Sequence, residues 1–145
     1  ALNYLKSSFL DQLSDDAIDA MIESFERCPT RMAKLLLEYF HGAAVRVPVG
    51  DTAFPHRFNG YNFLTLGQWQ ERADNEQCIA WVRETYAAME PFVAPARYVN
   101  YLGDDELGDP VASAYGPNYR RLQQVKAQYD PRNFFRMNQN IRPLA

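Results

Sequence analysis

In the run YVNY, two phenols and a carboxamide, Tyr98, Asn100 and Tyr101, stand within four residues of one another. A phenol titrates near pH 10 in model compounds, so it serves as a base near neutrality only through a stabilised phenolate or a concerted proton transfer. The amide beside it donates and accepts hydrogen bonds without changing charge. Asp104, Asp105 and Glu106 follow in a glycine-punctuated loop. Carboxylates in such a loop suit a solvated turn, and no acid–base role is assigned to them. His56, between Pro55 and Arg57 in TAFPHR, is a further ionisable group within reach of a pocket, in a setting that equally suits a structural role. Arg57 is as well placed to anchor the adjoining turn. No GxSxG, HExxH, P-loop or GxGxxG motif is present. Cys28 and Cys78 are isolated, without CxxC or His at ligand spacing, and read as small core residues rather than zinc ligands or a disulfide.

These side chains need elements to hold them. Ser14 is a helix N-cap, Asp15 and Asp16 occupy the favourable first turn, and Ile18, Met21, Ile22 and Phe25 recur at helical spacing until Cys28 meets Pro29. AKLLLEYFHGAAVRVPV is too apolar for a solvent-facing helix and reads as one or two strands. Asn59-Gly60 has the chemistry to close a hairpin from a short strand into the strand YNFLTLGQW. From about Gln70, Ile79, Val82, Tyr86 and Met89 mark an amphipathic helix ending at Pro91. ARYVNYL is a further strand by composition. Tyr119, Leu122, Val125 and Tyr129 line one face of a last helix that stops before Pro131. Tyr129 and Phe134 are expected to seal it against the sheet, with Arg120 and Lys126 solvated or paired. The sum is an α+β fold, an antiparallel sheet of three to five strands with helices packed on one face.

The 145 residues, 47% of them hydrophobic, suit one ordinary domain or part of one. A net charge of -3 argues against a protein built to grip a phosphate backbone, so nucleic acid is excluded as a main partner. No apolar run approaches the roughly 20 residues that span a bilayer, and no membrane role is expected. The aromatic fraction, 14% from nine Tyr, nine Phe and two Trp, stands out. It suits either a sheet that faces a flat ligand or a dense core.

Four signals, TAFPHR, YVNY, YGPNYRRLQQVKAQYDPRNFF and NQNI, in that order and spacing resemble the C-terminal region of the berberine bridge enzyme-like flavin oxidases, members of the superfamily with the vanillyl-alcohol-oxidase type of FAD-binding fold. The resemblance covers residues 30–143 and rests chiefly on the third, long and ungapped string. It implies that residues 1–95 are part of a substrate-binding domain and 96–145 a berberine-bridge-like C-terminal segment. FAD would be the cofactor, held mainly by an N-terminal domain of the same parent protein that this chain lacks. It further implies Tyr101 as catalytic base, Tyr98, Asn100 and Asn140 beside the flavin, and Tyr98 with His56 toward a small-molecule substrate. The reaction implied is hydride transfer from an alcohol, sugar or secondary metabolite to flavin, with reoxidation by oxygen, and the segment alone would be inactive. The resemblance further implies that the tyrosine leans on a neighbouring carboxylate or base. The matching strand here is YNFLTLGQW, where Leu64 and Thr65 supply none. On a regular strand Tyr98 and Asn100 would share a face that Tyr101 does not.

Two rival readings accompany this one. The chain would serve equally as a free-standing α+β ligand-binding or interaction module without flavin chemistry, an uncovered aromatic sheet then favouring a dimer through that face. A small stand-alone enzyme acting on a compact substrate is the third.

Overall fold

The computed structural model describes residues 1–103 and 105–144. Three strands, β1 (Leu2–Leu10), β2 (Lys34–Phe40) and β3 (Gly60–Trp69), form an antiparallel sheet in the order β1-β3-β2. Helices α1 (Asp15–Glu26), α2 (Ala43–Arg46), α3 (Asn75–Met89), α4 (Pro110–Tyr115) and α5 (Tyr119–Tyr129) connect or follow them. The expected α+β layer is therefore present, with α1 and α3 on one face of the sheet.

Pairing register decides what each face carries. Phe63 stands opposite Ser8 on β1 and Leu37 on β2, and cross-strand partners point the same way. That face meets the helices, where Phe63, Leu10, Met21, Ala17 and Met89 make the main core. A second cluster, Ala33, Trp81 and Val82, lies under the far end of α3. The helix can sit this low because position 67 is glycine: a Cβ there would lie 2.8 Å from Val82 Cγ2 and 3.3 Å from the Cys78 carbonyl oxygen. On the opposite face the neighbours of Phe63 in sequence, Asn62 and Leu64, join Phe9, Glu38 and Phe40. Aromatic rings cover part of it: Phe9 meets Phe40, His56 and Phe58 at centroid distances of 5.7, 4.4 and 5.2 Å.

Several expectations hold in detail. Ser14 Oγ accepts from the Ala17 amide at 3.2 Å, and α5 ends at Tyr129. Cys28 and Cys78 are both free thiols, Cys78 buried. Arg57 donates to the Ala44 carbonyl and to Thr52 Oγ1, anchoring the segment ahead of β3. Lys126 pairs with Asp130 at 2.6 Å.

Others are corrected. AKLLLEYFHGAAVRVPV gives one strand, the smaller of the two numbers expected, and then turns helical at α2, but among the described residues no strand lies between Phe40 and Gly60, so Asn59-Gly60 closes no hairpin. β1 and α4 were not anticipated. Tyr129 and Phe134 do not seal α5 against the sheet, since they are 77% and 79% exposed. The acidic loop is not simply solvated. Lys6 Nζ holds Asp105 at 2.9 Å and Glu106 at 3.0 Å, and Asp105 also accepts from Tyr4 and from Arg83. Asp104 lies outside the described residues.

That network ties the chain after Tyr101 back to β1. Burial works to raise the Asp105 carboxyl, but the Tyr4 and Lys6 hydrogen bonds and the Lys6 charge outweigh it and bring it down from 3.8 to about 2. A depressed carboxyl stabilises the fold above its unfolded value, and the contribution disappears as pH falls through the folded one. Because the side chain is 35% exposed, solvent screening reduces the effect to roughly 1 kcal/mol. Asp105→Asn should therefore unfold at lower denaturant than the parent at pH 7, with the difference shrinking between about pH 4 and pH 2. Denaturant titrations at those pH values measure it.

Candidate functional site

Residues 96–103 do not form the strand that their composition suggests. A short bridge between Phe9 and Ala94 is the only pairing on the outer edge of β1 among the described residues. Beyond it Ser8 Oγ donates to the carbonyls of Ala94 and Ala96, and Arg97 donates to Ser8 Oγ at 2.6 Å. Side-chain bonds of this kind compete with a backbone ladder. The chain instead makes a 3-10 turn over Val99–Tyr101, closed by the Tyr101 amide on the Tyr98 carbonyl at 2.9 Å.

The turn removes the difficulty of alternation, because residues three apart eclipse in 3-10 geometry. Tyr98 and Tyr101 lie ring to ring, edge on, with centroids 5.3 Å apart. Asn100 Nδ2 donates to Tyr98 Oη at 2.7 Å. Phe54 presents its ring to Tyr98 at 5.6 Å and to His56 at 5.2 Å. Four of the five expected site residues, Tyr98, Asn100, Tyr101 and His56, are thus joined in one aromatic and polar cluster. Asn140 is not in it. Asn140 lines another cavity with Asp109, Tyr119 and Arg142, its buried Oδ1 without a hydrogen-bond partner among the described residues.

Tyr101 Oη donates to Glu38 Oε1 at 3.2 Å. The other oxygen, Oε2, accepts from Asn62 Nδ2 at 2.6 Å. Glu38 and Asn62 are direct cross-strand partners, and Asn62 is fully buried in the central strand. A buried amide with one good bond to a carboxylate is fixed in orientation, because its oxygen cannot replace the nitrogen there. The carboxylate that YNFLTLGQW was expected to lack therefore comes from the neighbouring strand. The sequence reading missed Glu38, whose one local signal is that it is the lone acid in KLLLEYF. Burial first, then the charge and hydrogen bond of Glu38 and the charge of Tyr98, push the Tyr101 phenol above its ordinary value. A free phenolate is disfavoured in this setting. The arrangement sets a carboxylate within hydrogen-bonding reach of that phenol.

Comparison with known proteins bears on the family. Residues 97–142, which contain the turn, match the family model for berberine and berberine-like proteins. Over that segment the chain matches the berberine bridge enzyme-like family. It is 28% identical to tetrahydroberberine oxidase of Berberis wilsoniae over 97% of its own length and 30% of that protein's. To the FAD-linked oxidoreductase YvdP of Bacillus subtilis it is 32% identical, covering 92% of this chain and 29% of the relative. Its fold matches berberine bridge enzyme from Eschscholzia californica with a TM-score of 0.89, at 23% identity, over 99% of this chain and 33% of that one. A glycopeptide hexose oxidase crystallised with teicoplanin matches with a TM-score of 0.81 at 27% identity, over 97% of this chain and 32% of that one. The chain thus spans about 30% of the length of these family members.

Proposed function

We propose that this berberine bridge enzyme-like chain forms one wall of the active site of an FAD-linked oxidoreductase, with Tyr101 and Glu38 as its proton-accepting pair. The observation that carries the reading is the relay from Tyr101 Oη through Glu38 to the buried Asn62 amide. Residues 1–95 contribute the sheet under the substrate, and 96–145 contribute the turn that hangs Tyr101 over it.

The residues present fit part of FAD. Asn100, whose amide also bonds Tyr98, lines an open cleft of about 370 Å³ beside Tyr4, Leu102 and Arg83. That volume is within the range of small-molecule sites. No glycine-rich loop suited to a diphosphate accompanies it, so the phosphates require residues outside this chain. Asn100 and Tyr98 would border the flavin ring, and Asn140, in its own cavity, would approach it from another side. When bound, FAD would supply a two-electron acceptor for the hydride of a substrate carbon, with oxygen as the onward acceptor. The proton of the adjacent hydroxyl moves to Tyr101 Oη as the Tyr101 proton moves to Glu38, so no full phenolate is needed. Asn62 keeps the second carboxylate oxygen engaged and directs the first at Tyr101.

The test is the visible spectrum and turnover of the protein that carries this chain together with its flavin-binding part. Flavin absorption, and hydrogen peroxide released on oxidation of an alcohol, sugar or secondary metabolite, are expected. A colourless protein that takes up no added FAD would overturn the reading.

A further inference from the structure

The motif TAFPHR has no part in the proton relay, yet it builds a cavity of its own. His56 is 8% exposed, and its Nε2 is buried without a hydrogen-bond partner among the described residues. A buried polar atom of this kind costs free energy unless something satisfies it. Here it borders space. A cavity of about 200 Å³ is lined by His56 together with Phe54, Tyr98, Asn100 and Tyr115, with Ala53 beside them. Neither Tyr101, Glu38 nor Asn62 lines it. An apolar cavity of about 150 Å³ is large enough to bind benzene. This one has room for such a ring carrying a substituent, and beside His56 its walls include the rings of Phe54, Tyr98 and Tyr115, the two tyrosines with polar tips.

The ring of His56 fixes the chemistry of that substituent. Burial, reinforced by the Arg57 charge, pushes it below its ordinary value against the opposing pull of the Arg97 and Ala114 carbonyls. A neutral imidazole offers one N–H and one lone pair. A hydroxyl can answer either, whereas a carboxylate would set a full negative charge against the electron-rich faces of these rings.

We infer that the cavity at His56 is a binding site for a hydroxyl-bearing aromatic molecule of about the size of phenol, separate from the Tyr101–Glu38 pair. The hydroxyl meets Nε2 and the ring lies among Phe54, Tyr98 and Tyr115. Because Tyr98 also touches Tyr101, occupancy bears on the turn that carries the proton relay.

Phenol titrated into the isotope-labelled chain, followed by NMR of the imidazole nitrogens, tests the site without flavin or turnover. Its outcome is therefore independent of the proposed oxidation. Phenol should shift the His56 Nε2 resonance saturably, with a dissociation constant of about 1 mM, and benzene should bind about tenfold more weakly for want of the hydroxyl. His56→Phe should bring phenol down to the level of benzene. Ala53→Leu, at an exposed position on the rim, should block both ligands and does not depend on the folding of the His56 variant. An unmoved His56 resonance, equal binding of phenol and benzene, or undiminished binding in Ala53→Leu would each overturn the inference.

Discussion

Tyr101→Phe, introduced into the flavin-loaded protein that carries this chain, should lower turnover by about 10²–10⁴-fold, the usual contribution of a positioned general base. The ring remains, so its edge-on contact with Tyr98 and the 3-10 turn survive, and the loss falls on chemistry. Glu38→Gln should cost a comparable factor. An amide at position 38 can still accept a hydrogen bond from the phenol but cannot receive its proton. If the two residues act as one relay, the double variant should be hardly slower than either single one, since groups that work as a unit are non-additive. Stopped-flow measurement of flavin reduction separates this step from oxygen chemistry. Losses that multiply in the double variant would show two independent roles. Unchanged reduction in Tyr101→Phe would remove the phenol from the mechanism altogether.

This pair also separates what a single sequence states from what only pairing states. Tyr101 was reached through the resemblance carried by its neighbourhood, whereas Glu38 was not, although it lies only one strand away from the place searched. Locating it needed the register that sets Glu38 opposite Asn62. Register is a product of pairing, and a single strand does not state its partner. The helices were the legible part. Ser14, the 3.6-residue spacing and Pro131 act within a few residues of where they stand. β1 gave no signal because both of its faces are covered: Tyr4, Lys6 and Ser8 on one side bond the 94–106 segment, while Ser7 and Phe9 are buried on the other. With polar and apolar residues on each face, the period-two pattern vanishes. YVNY failed in the opposite sense. Its aromatic and β-branched residues favour a strand, but beyond Ala94 the β1 edge gives them no ladder to join, and the propensity is overridden.

The largest effect on stability is expected at Phe63. Its side chain is fully buried at the centre of β3, among Leu10, Met21 and Met89, where sheet, α1 and α3 meet. Phe63→Ala removes the ring and leaves a cavity that the strands on both sides prevent from collapsing, a change that typically costs 3–5 kcal/mol. Domains of this size hold about 5–15 kcal/mol in all, so the variant should sit near the edge of unfolding at 37 °C. Leu37 supplies the control. It is the direct cross-strand partner of Phe63, points to the same face, and is 39% exposed. Leu37→Ala should cost about 1 kcal/mol or less, because much of the side chain already faces water. Urea midpoints measured on both variants decide between two accounts of the fold. If stability follows burial, the two costs differ several-fold. If β2 owes its place mainly to its own apolar run, Leu37→Ala should approach the cost of Phe63→Ala, and the central strand would no longer be the element that organises the site.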